Sequence, residues 1–182
     1  MWTLALYGLR RGEIAGLRWE NVDFKSGTVT IAETRVEGGK GVGVIVETPK
    51  SKTSRRVLPL PDDAVAALKS ARKHQRAEKL LLGSDYGPGD YVACDEAGEP
   101  RSPSWLTDAW DRLQRDLKID RVRLHDARHS CATLMHMRGV PIAVIAAWLG
   151  HSSAAFTMAT YAHSQDEALK AAGQSFRPVE AI

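Results

Sequence analysis

Apolar residues near the start of the chain recur at helical spacings as far as Trp19, and this pattern predicts a helical opening segment. The residues that form the pattern are Leu4, Leu6, Leu9, Ile14 and Leu17. No capping residue precedes them, so we expect that the chain begins within a helical region rather than at a helix start.

The pattern then changes to three runs of β-branched residues, over 28–36, 42–49 and 55–60. Turns rich in glycine and lysine separate the runs, which is typical of short strands joined by hairpins. We therefore expect a small three-stranded antiparallel sheet in this part of the chain.

Helical spacing returns after the strands. Pro61 and Asp62 are a helix-start signal, and the helix that they open is predicted over 61–81. A loop-rich stretch over 83–104, with a short hairpin at 91–100, precedes the remaining helices. Those helices are predicted over 104–117, 125–139, 141–150 and 152–172. The fold class is accordingly α+β, mainly helical with one small antiparallel sheet.

The composition fits one soluble globular domain, since the 182 residues are 43% hydrophobic and 26% charged. Cys94 and Cys131 lie far apart, so we expect reduced thiols and a cytoplasmic protein. No apolar run is long enough to span a membrane. The net charge of +3 is small, but residues 50–56 carry several cationic side chains and no acidic one. A second cationic stretch covers 112–128. Such clusters permit a phosphate-rich partner without proving one.

The segment "LHDARHS", residues 124–130, permits two kinds of site. On a helix, His125 and His129 share a face as two zinc ligands would, and Asp126 stands where zinc hydrolases carry glutamate. His125 and Arg128 also share a face, as two groups that bind one phosphate would. Nearby Arg123 and Arg128 would repel a divalent cation, which favours the anion. A third zinc ligand would have to come from His136, His151 or His163.

Other segments supply what a phosphodiester reaction needs. Arg10 lies in "GLRRGEIAGLRW", where Glu13 can hold a guanidinium in place. A bidentate arginine is well suited to the charge that develops on phosphoryl oxygens. Lys50 lies at a predicted hairpin tip, His151 follows a helix end, and Tyr161 comes ten residues later.

Four segments, in order, resemble the sequence boxes of tyrosine recombinases, the phage-integrase family: "GLRRGEIAGLRW", "TPKSKTSRRVLPL", "LHDARHS" and "WLGHSSAAFTMATYAHS". The resemblance implies helices around a small antiparallel sheet. It implies cleavage and rejoining of double-stranded DNA through a 3′-phosphotyrosyl intermediate, with no cofactor, neither metal nor ATP. It also implies a homotetramer on DNA that forms through the C-terminal helix. The protein would be cytoplasmic and associated with the nucleoid, and either a bacterium or a phage would encode it.

The catalytic set that the resemblance implies is Arg10, Lys50, His125, Arg128, His151 and Tyr161. Tyr161 would be the nucleophile, the two arginines would hold the scissile phosphate, and Lys50 would protonate the departing 5′ oxygen. His125 matches the histidine of the H-x-x-R motif and His151 the one that steadies the transition state. Lys52 is an alternative to Lys50, and His129 is expected to pack elsewhere. We expect further DNA contacts from Lys52, Arg55, Arg56 and Arg123.

The first box begins at Gly8, seven residues after Met1, whereas members of this family usually carry a DNA-clamping domain before it. We therefore expect residues 1–182 to be a catalytic domain that is truncated at its N-terminus and lacks a core-binding domain. Two alternatives to a recombinase stay open. One is a non-catalytic DNA-binding remnant of an integrase, and the other is a zinc hydrolase that uses "HDARH". A type IB topoisomerase would be a close relative of the recombinase.

Overall fold

The computed structural model describes residues 1–39, 41–48, 55–151 and 173. In chain order, the helices are α1 (Trp2–Leu6), α2 (Arg11–Gly16), α3 (Asp62–Leu82), α4 (Pro103–Asp116), α5 (Leu124–Met137) and α6 (Ile142–Leu149). The strands are β1 (Val22–Asp23), β2 (Thr28–Ile31), β3 (Thr34–Glu37), β4 (Val44–Glu47) and β5 (Arg56–Pro59). The expected α+β class with a large helical share is confirmed. The helix expected over 152–172 lies outside the described residues.

The helical opening segment is two short helices rather than one. The chain turns between α1 and α2 at Gly8, whose φ of +86° is a left-handed conformation that favours glycine. A Cβ atom at Gly8 would also lie 3.3 Å from Sγ of Cys131 in α5. The turn therefore lets α5 approach closely, and it places Arg10 at the N-cap of α2.

The strands form two small antiparallel sheets, one with the order β1-β2-β5 and one that is the β3-β4 hairpin. The run predicted as one strand over 28–36 is broken at Ala32 and Glu33, and β1 was not predicted. Glu33 forms an ion pair with Arg18 at 2.8 Å at this break. The two sheets also differ in burial, because Val29 of β2 is fully buried whereas Val46 of β4 is 48% exposed.

Each helix predicted between residues 61 and 150 is present with bounds shifted by a few residues. The hairpin expected over 91–100 is reduced to a bridge between Cys94 and Pro100. Ser102 caps α4 by accepting a hydrogen bond from the backbone N–H of Trp105. Among the described residues, no helix is both long enough and apolar enough to cross a membrane.

In the part of the chain that the structure describes, two apolar clusters hold the elements together. The larger one contains buried side chains of α1, α2, α4 and the three-stranded sheet. The smaller one joins α5 to α6 through Ala132, Ile145 and Leu149, all of which are essentially inaccessible to solvent. Because α6 is fixed against α5 in this way, its carboxyl end lies next to the "LHDARHS" segment.

Candidate active site

The carbonyl end of α6 is the centre of the site. Three successive backbone carbonyls there each accept a hydrogen bond from a different arginine: Trp148 from Arg56, Leu149 from Arg128 and Gly150 from Arg10. The last carbonyls of a helix have no partner within the helix and carry the negative end of its dipole. Arginines from three separate elements satisfy these carbonyls and are thereby brought together.

Arg128 lies in α5 and is only 3% exposed. Besides Leu149, it donates a hydrogen bond of 2.6 Å to the carbonyl of Gly8 in the turn between α1 and α2. The indole Nε1 of Trp148 donates to the neighbouring carbonyl of Tyr7 at 2.9 Å. Arg128 therefore joins three segments that are far apart in the sequence.

Arg10 is the most accessible of the three arginines that converge on α6, with 37% of its side chain exposed. Its guanidinium contacts Glu13 at 2.8 Å and the carbonyl of Gly150 at 2.9 Å. Its backbone N–H also donates to Glu13, at 2.8 Å, so the same carboxylate fixes both ends of the residue. Among the described residues, Glu13 and Gly150 are the hydrogen-bond partners of the guanidinium, which leaves further N–H groups of Arg10 that can bind an anion.

Glu13 is 1% exposed, and it forms salt bridges with both Arg10 and Arg56. Two guanidinium nitrogens of Arg56 donate to the two carboxylate oxygens at 2.9 and 3.1 Å. Burial alone would raise the pKa of Glu13, but the hydrogen bonds and charges of Arg56 and Arg10 outweigh it and hold the pKa below its usual value. Glu13 is therefore ionised at neutral pH.

The expectation that Arg56 contacts DNA does not fit this arrangement. Its side chain is 8% exposed, and all three of its guanidinium nitrogens donate hydrogen bonds, two of them to the Glu13 carboxylate that balances its charge. The sequence shows two adjacent arginines at the start of β5, of which Arg55 is exposed and Arg56 is turned inward. Strand alternation explains the difference, because neighbouring residues point to opposite faces.

His125 is exposed on the first turn of α5, and its ring contacts the ring of His129 edge-on with centroids 4.8 Å apart. His129 therefore lies beside the candidate site rather than packing elsewhere. Burial lowers the pKa of His125, and the nearby His129 and Arg128 lower it further. A neutral imidazole at this position can accept a proton at neutral pH.

His151 follows Gly150, which ends α6 in a left-handed conformation with φ of +63°. Burial, followed by the charges of Arg128 and Arg10, lowers the pKa of His151 to about 4. Its imidazole is therefore neutral at pH 7 in the ligand-free protein. An anion bound between the arginines would offset their repulsion and would favour the protonated form.

Of the other predicted site residues, the structure places Arg123 outside this cluster. Arg123 is 75% exposed and caps α5 through a salt bridge of 2.9 Å to Asp126. Lys50, Lys52 and Tyr161 lie outside the described residues. Within the described ranges, no three histidine, cysteine or acidic side chains come together as metal ligands would.

Both arginines, both histidines and Glu13 as the partner of a guanidinium could be named from the sequence, but the backbone carbonyls that hold the arginines could not. The carbonyls of Gly8, Leu149 and Gly150 carry no side-chain signal, so only the fold reveals their role. The pairing of Glu13 with Arg56 spans 43 positions. Acidic residues and basic residues at strand starts are both common in sequences, so their presence does not predict this pairing.

Comparison with known proteins gives a consistent result. Residues 1–168 match the Phage integrase family. The tyrosine recombinase XerC-like protein of Caldanaerobacter subterraneus subsp. tengcongensis is 33% identical over 168 residues, which are 86% of this chain and 42% of that protein. An integrase of Saccharopolyspora erythraea is 33% identical over 113 residues, covering 62% of this chain and 26% of that protein. The chain thus spans less than half the length of these relatives.

Solved structures agree on the fold. The XerA recombinase is 28% identical and superposes with a TM-score of 0.66 over 97% of this chain and 55% of that one. The integrase of transposon Tn1549, solved in complex with transposon right end DNA, gives a TM-score of 0.79 at 19% identity over 96% of this chain and 57% of that one. The four-box resemblance, the fold and the match over residues 1–168 lead to one conclusion: the chain belongs to the phage integrase family.

Proposed function

We propose that residues 1–182 are the catalytic domain of a site-specific DNA recombinase that cleaves and rejoins double-stranded DNA through a 3′-phosphotyrosyl intermediate. The observation that carries the proposal is the convergence of Arg10, Arg128 and His151 at the carbonyl end of α6, with His125 on the neighbouring helix. This is a cationic cluster of the kind that holds a phosphodiester. Similarity to the DNA-bound Tn1549 integrase supports DNA as the partner.

Arg10 and Arg128 would bind the non-bridging oxygens of the scissile phosphate. Charge on these oxygens grows towards the transition state, and fixed donors that need no rearrangement stabilise it most. Arg128 is held by two backbone carbonyls and Arg10 by Glu13 and Gly150, so both are positioned before DNA arrives.

The nucleophile that we propose is the phenolic oxygen of Tyr161. A phenol with pKa about 10 is ionised in only about one molecule in a thousand near pH 7, which costs about 4 kcal/mol. Transfer of the phenolic proton to the neutral imidazole of His125 as the P–O bond forms reduces this cost.

In this step the Tyr161 oxygen forms a bond to phosphorus while the bond from phosphorus to the 5′ oxygen breaks. His125 takes the phenolic proton, and a lysine of the 49–54 segment gives a proton to the departing 5′ oxygen. His151 hydrogen-bonds the phosphoryl group. The tyrosyl ester keeps the energy of the phosphodiester, so the reverse step rejoins DNA without a nucleotide cofactor.

The finer partners belong to the same proposal. Lys52, Arg55 and Arg123 would contact the DNA backbone outside the cleavage point, and copies of the chain would form a homotetramer through the segment that follows Tyr161. Such contacts release counterions, so we expect DNA affinity to fall steeply as salt concentration rises.

The test is a duplex of a candidate site that carries a nick just beyond the cleavage point, so that the short 5′-hydroxyl fragment diffuses away after cleavage. We expect a protein–DNA adduct that survives denaturing gel electrophoresis and is removed by protease, and we expect Tyr161→Phe to give none. Binding of the duplex by the native protein without any adduct would favour a non-catalytic remnant. An adduct-free protein with stoichiometric zinc, lost on replacing His129, would favour the zinc hydrolase. Relaxation of supercoiled DNA without site preference would favour the topoisomerase.

A sulfur-containing substrate distinguishes Lys50 from Lys52. A 5′-bridging sulfur makes the leaving group a thiolate that needs no proton, so a variant that lacks the proton donor is restored on this substrate. We expect Lys50→Ala to reduce the rate of adduct formation on normal DNA by about a hundredfold and to approach the wild-type rate on the sulfur substrate. Lys52→Ala is the matched control, expected to change both rates alike. The opposite pattern would assign the proton transfer to Lys52.

A further inference from the structure

Glu13 has an unusual place in the site because one buried carboxylate is shared by two arginines. One carboxylate oxygen accepts from the guanidinium groups of both Arg10 and Arg56, at 2.8 and 2.9 Å. The other accepts from the backbone N–H of Arg10 and from Arg56, at 2.8 and 3.1 Å. Arg10 reaches solvent, whereas Arg56 and Glu13 are both buried.

The charges within this triad decide how strongly Arg10 can attract an anion. A pair made only of Glu13 and Arg10 would be neutral, and the buried carboxylate would repel a phosphate bound to the outer side of the arginine. The second arginine cancels the carboxylate and leaves one net positive charge at the exposed end. The electrostatic free energy of one net charge acting on a bound phosphate is much larger at the low effective dielectric of a partly buried site than in water.

We propose that Arg56 is a positioning residue that neutralises Glu13 and thereby makes the charge of Arg10 available to the bound phosphate. Glu13 fixes the orientation of Arg10, and Arg56 removes the electrostatic penalty of using a carboxylate to do so. The hydrogen bond of 2.6 Å from Nε of Arg56 to the carbonyl of Trp148 ties the triad to α6.

Gly150 shows how closely Arg56 fits this position. A Cβ atom at Gly150 would lie 2.8 Å from a terminal nitrogen of Arg56. The turn that carries His151 and accepts from Arg10 therefore packs directly on the buried guanidinium. Arg56 is also the first residue of β5 and pairs with Ile31 of β2, so the three-stranded sheet holds its backbone.

The identity of the anion as a DNA phosphate rests on the proposed function. The charge relation, in which Arg56 neutralises Glu13 and so strengthens anion binding by Arg10, is testable with inorganic phosphate. The readout is the NMR signal of the Arg10 Nε–H group during a phosphate titration. We expect Arg56→Gln to weaken phosphate binding by about tenfold or more, and Arg56→Lys, which keeps the charge with fewer hydrogen bonds, to stay within about threefold of wild type.

The double variant Glu13→Gln/Arg56→Gln separates charge balance from a merely structural role. It restores one net positive charge, so we expect phosphate affinity to return to within about threefold of wild type, although it has lost more ionic contacts than the single variant. Glu13→Gln alone is expected to bind phosphate at least as tightly as wild type. Glu13→Gln keeps the inference falsifiable if Arg56→Gln fails to fold. Arg76→Gln is the matched control, an exposed arginine on α3 that lines a cleft beside Trp19.

The rate of adduct formation on the nicked duplex should follow the same order among the Arg56 variants. If the wild type forms no adduct but the phosphate affinities follow this order, the recombinase reaction is refuted and the charge relation stands. A single variant Arg56→Gln that binds phosphate like wild type, or a double variant no better than the single, would overturn the inference even if the wild type forms the adduct.

Discussion

Replacing Arg128 by methionine is expected to lower the free energy of unfolding by about 2–5 kcal/mol, because it leaves two buried carbonyl groups without their donors. These are the carbonyls of Gly8 and Leu149. Burial at 3% exposure prevents water from replacing the guanidinium without rearrangement. Urea denaturation followed by circular dichroism measures the change.

A lysine at position 128 distinguishes the contribution of Arg128 to stability from its contribution to the reaction. Arg128→Lys keeps a positive charge but cannot donate to both carbonyls and to a phosphate in one plane. We expect a smaller loss of stability and a fall in adduct formation of at least about a hundredfold. Arg115→Met, at an exposed position of α4, is the control and should change stability by less than about 0.5 kcal/mol. Wild-type stability in Arg128→Met would contradict the role that we assign to this residue.

Replacing Glu13 by alanine is expected to destabilise the protein by about 3–5 kcal/mol, since it leaves the guanidinium of Arg56 buried without its carboxylate. Arg56 is 8% exposed, so it cannot recover its hydration where it stands. Thermal and urea unfolding of Glu13→Ala test this, with Glu13→Gln as the variant that keeps the shape and some of the hydrogen bonds. A loss of less than 1 kcal/mol in Glu13→Ala would show that the triad is dispensable for folding.

The pH dependence of stability provides a second view of Glu13. Its pKa is depressed in the folded protein, so the unfolded chain binds the proton more readily. The stabilisation is therefore fully present above the unfolded pKa of about 4.3 and is lost as pH falls through the lower folded value. We expect the decrease in stability below pH about 4.5 to be shallower in Glu13→Gln than in wild type. Identical slopes would contradict the lowered pKa of Glu13 in the folded protein.

The helices could be predicted because their signals are local. Spacing of apolar residues, Pro61 at a start and Gly150 at an end each act within a few residues, and the structure confirms the helices that they mark. The strand run over 28–36 was predicted as one element because β-branched composition does not report where the chain leaves one sheet for another. The break at Glu33, beside the ion pair with Arg18, depends on a contact between separate elements.

In the candidate site, too, local motifs predict the residues, whereas contacts between separate elements set their arrangement. Arg10, His125, Arg128 and His151 could be named from short motifs. Their mutual arrangement depends on three carbonyls at the end of α6, which no side-chain pattern reveals. Arg56 stands beside Arg55 in a cationic run, which predicts a DNA contact for both, whereas strand alternation turns Arg56 inward.

The central claim is that a cluster of arginines holds a DNA phosphate in line with the phenolic oxygen of Tyr161. The most direct measurement is mass spectrometry of the proteolysed adduct from the nicked duplex. The account predicts one modified peptide, with the 3′-phosphate of the DNA esterified to Tyr161, and loss of that peptide in Arg128→Lys. DNA attached to any other residue, or bound DNA that is cut without a covalent protein intermediate, would contradict it.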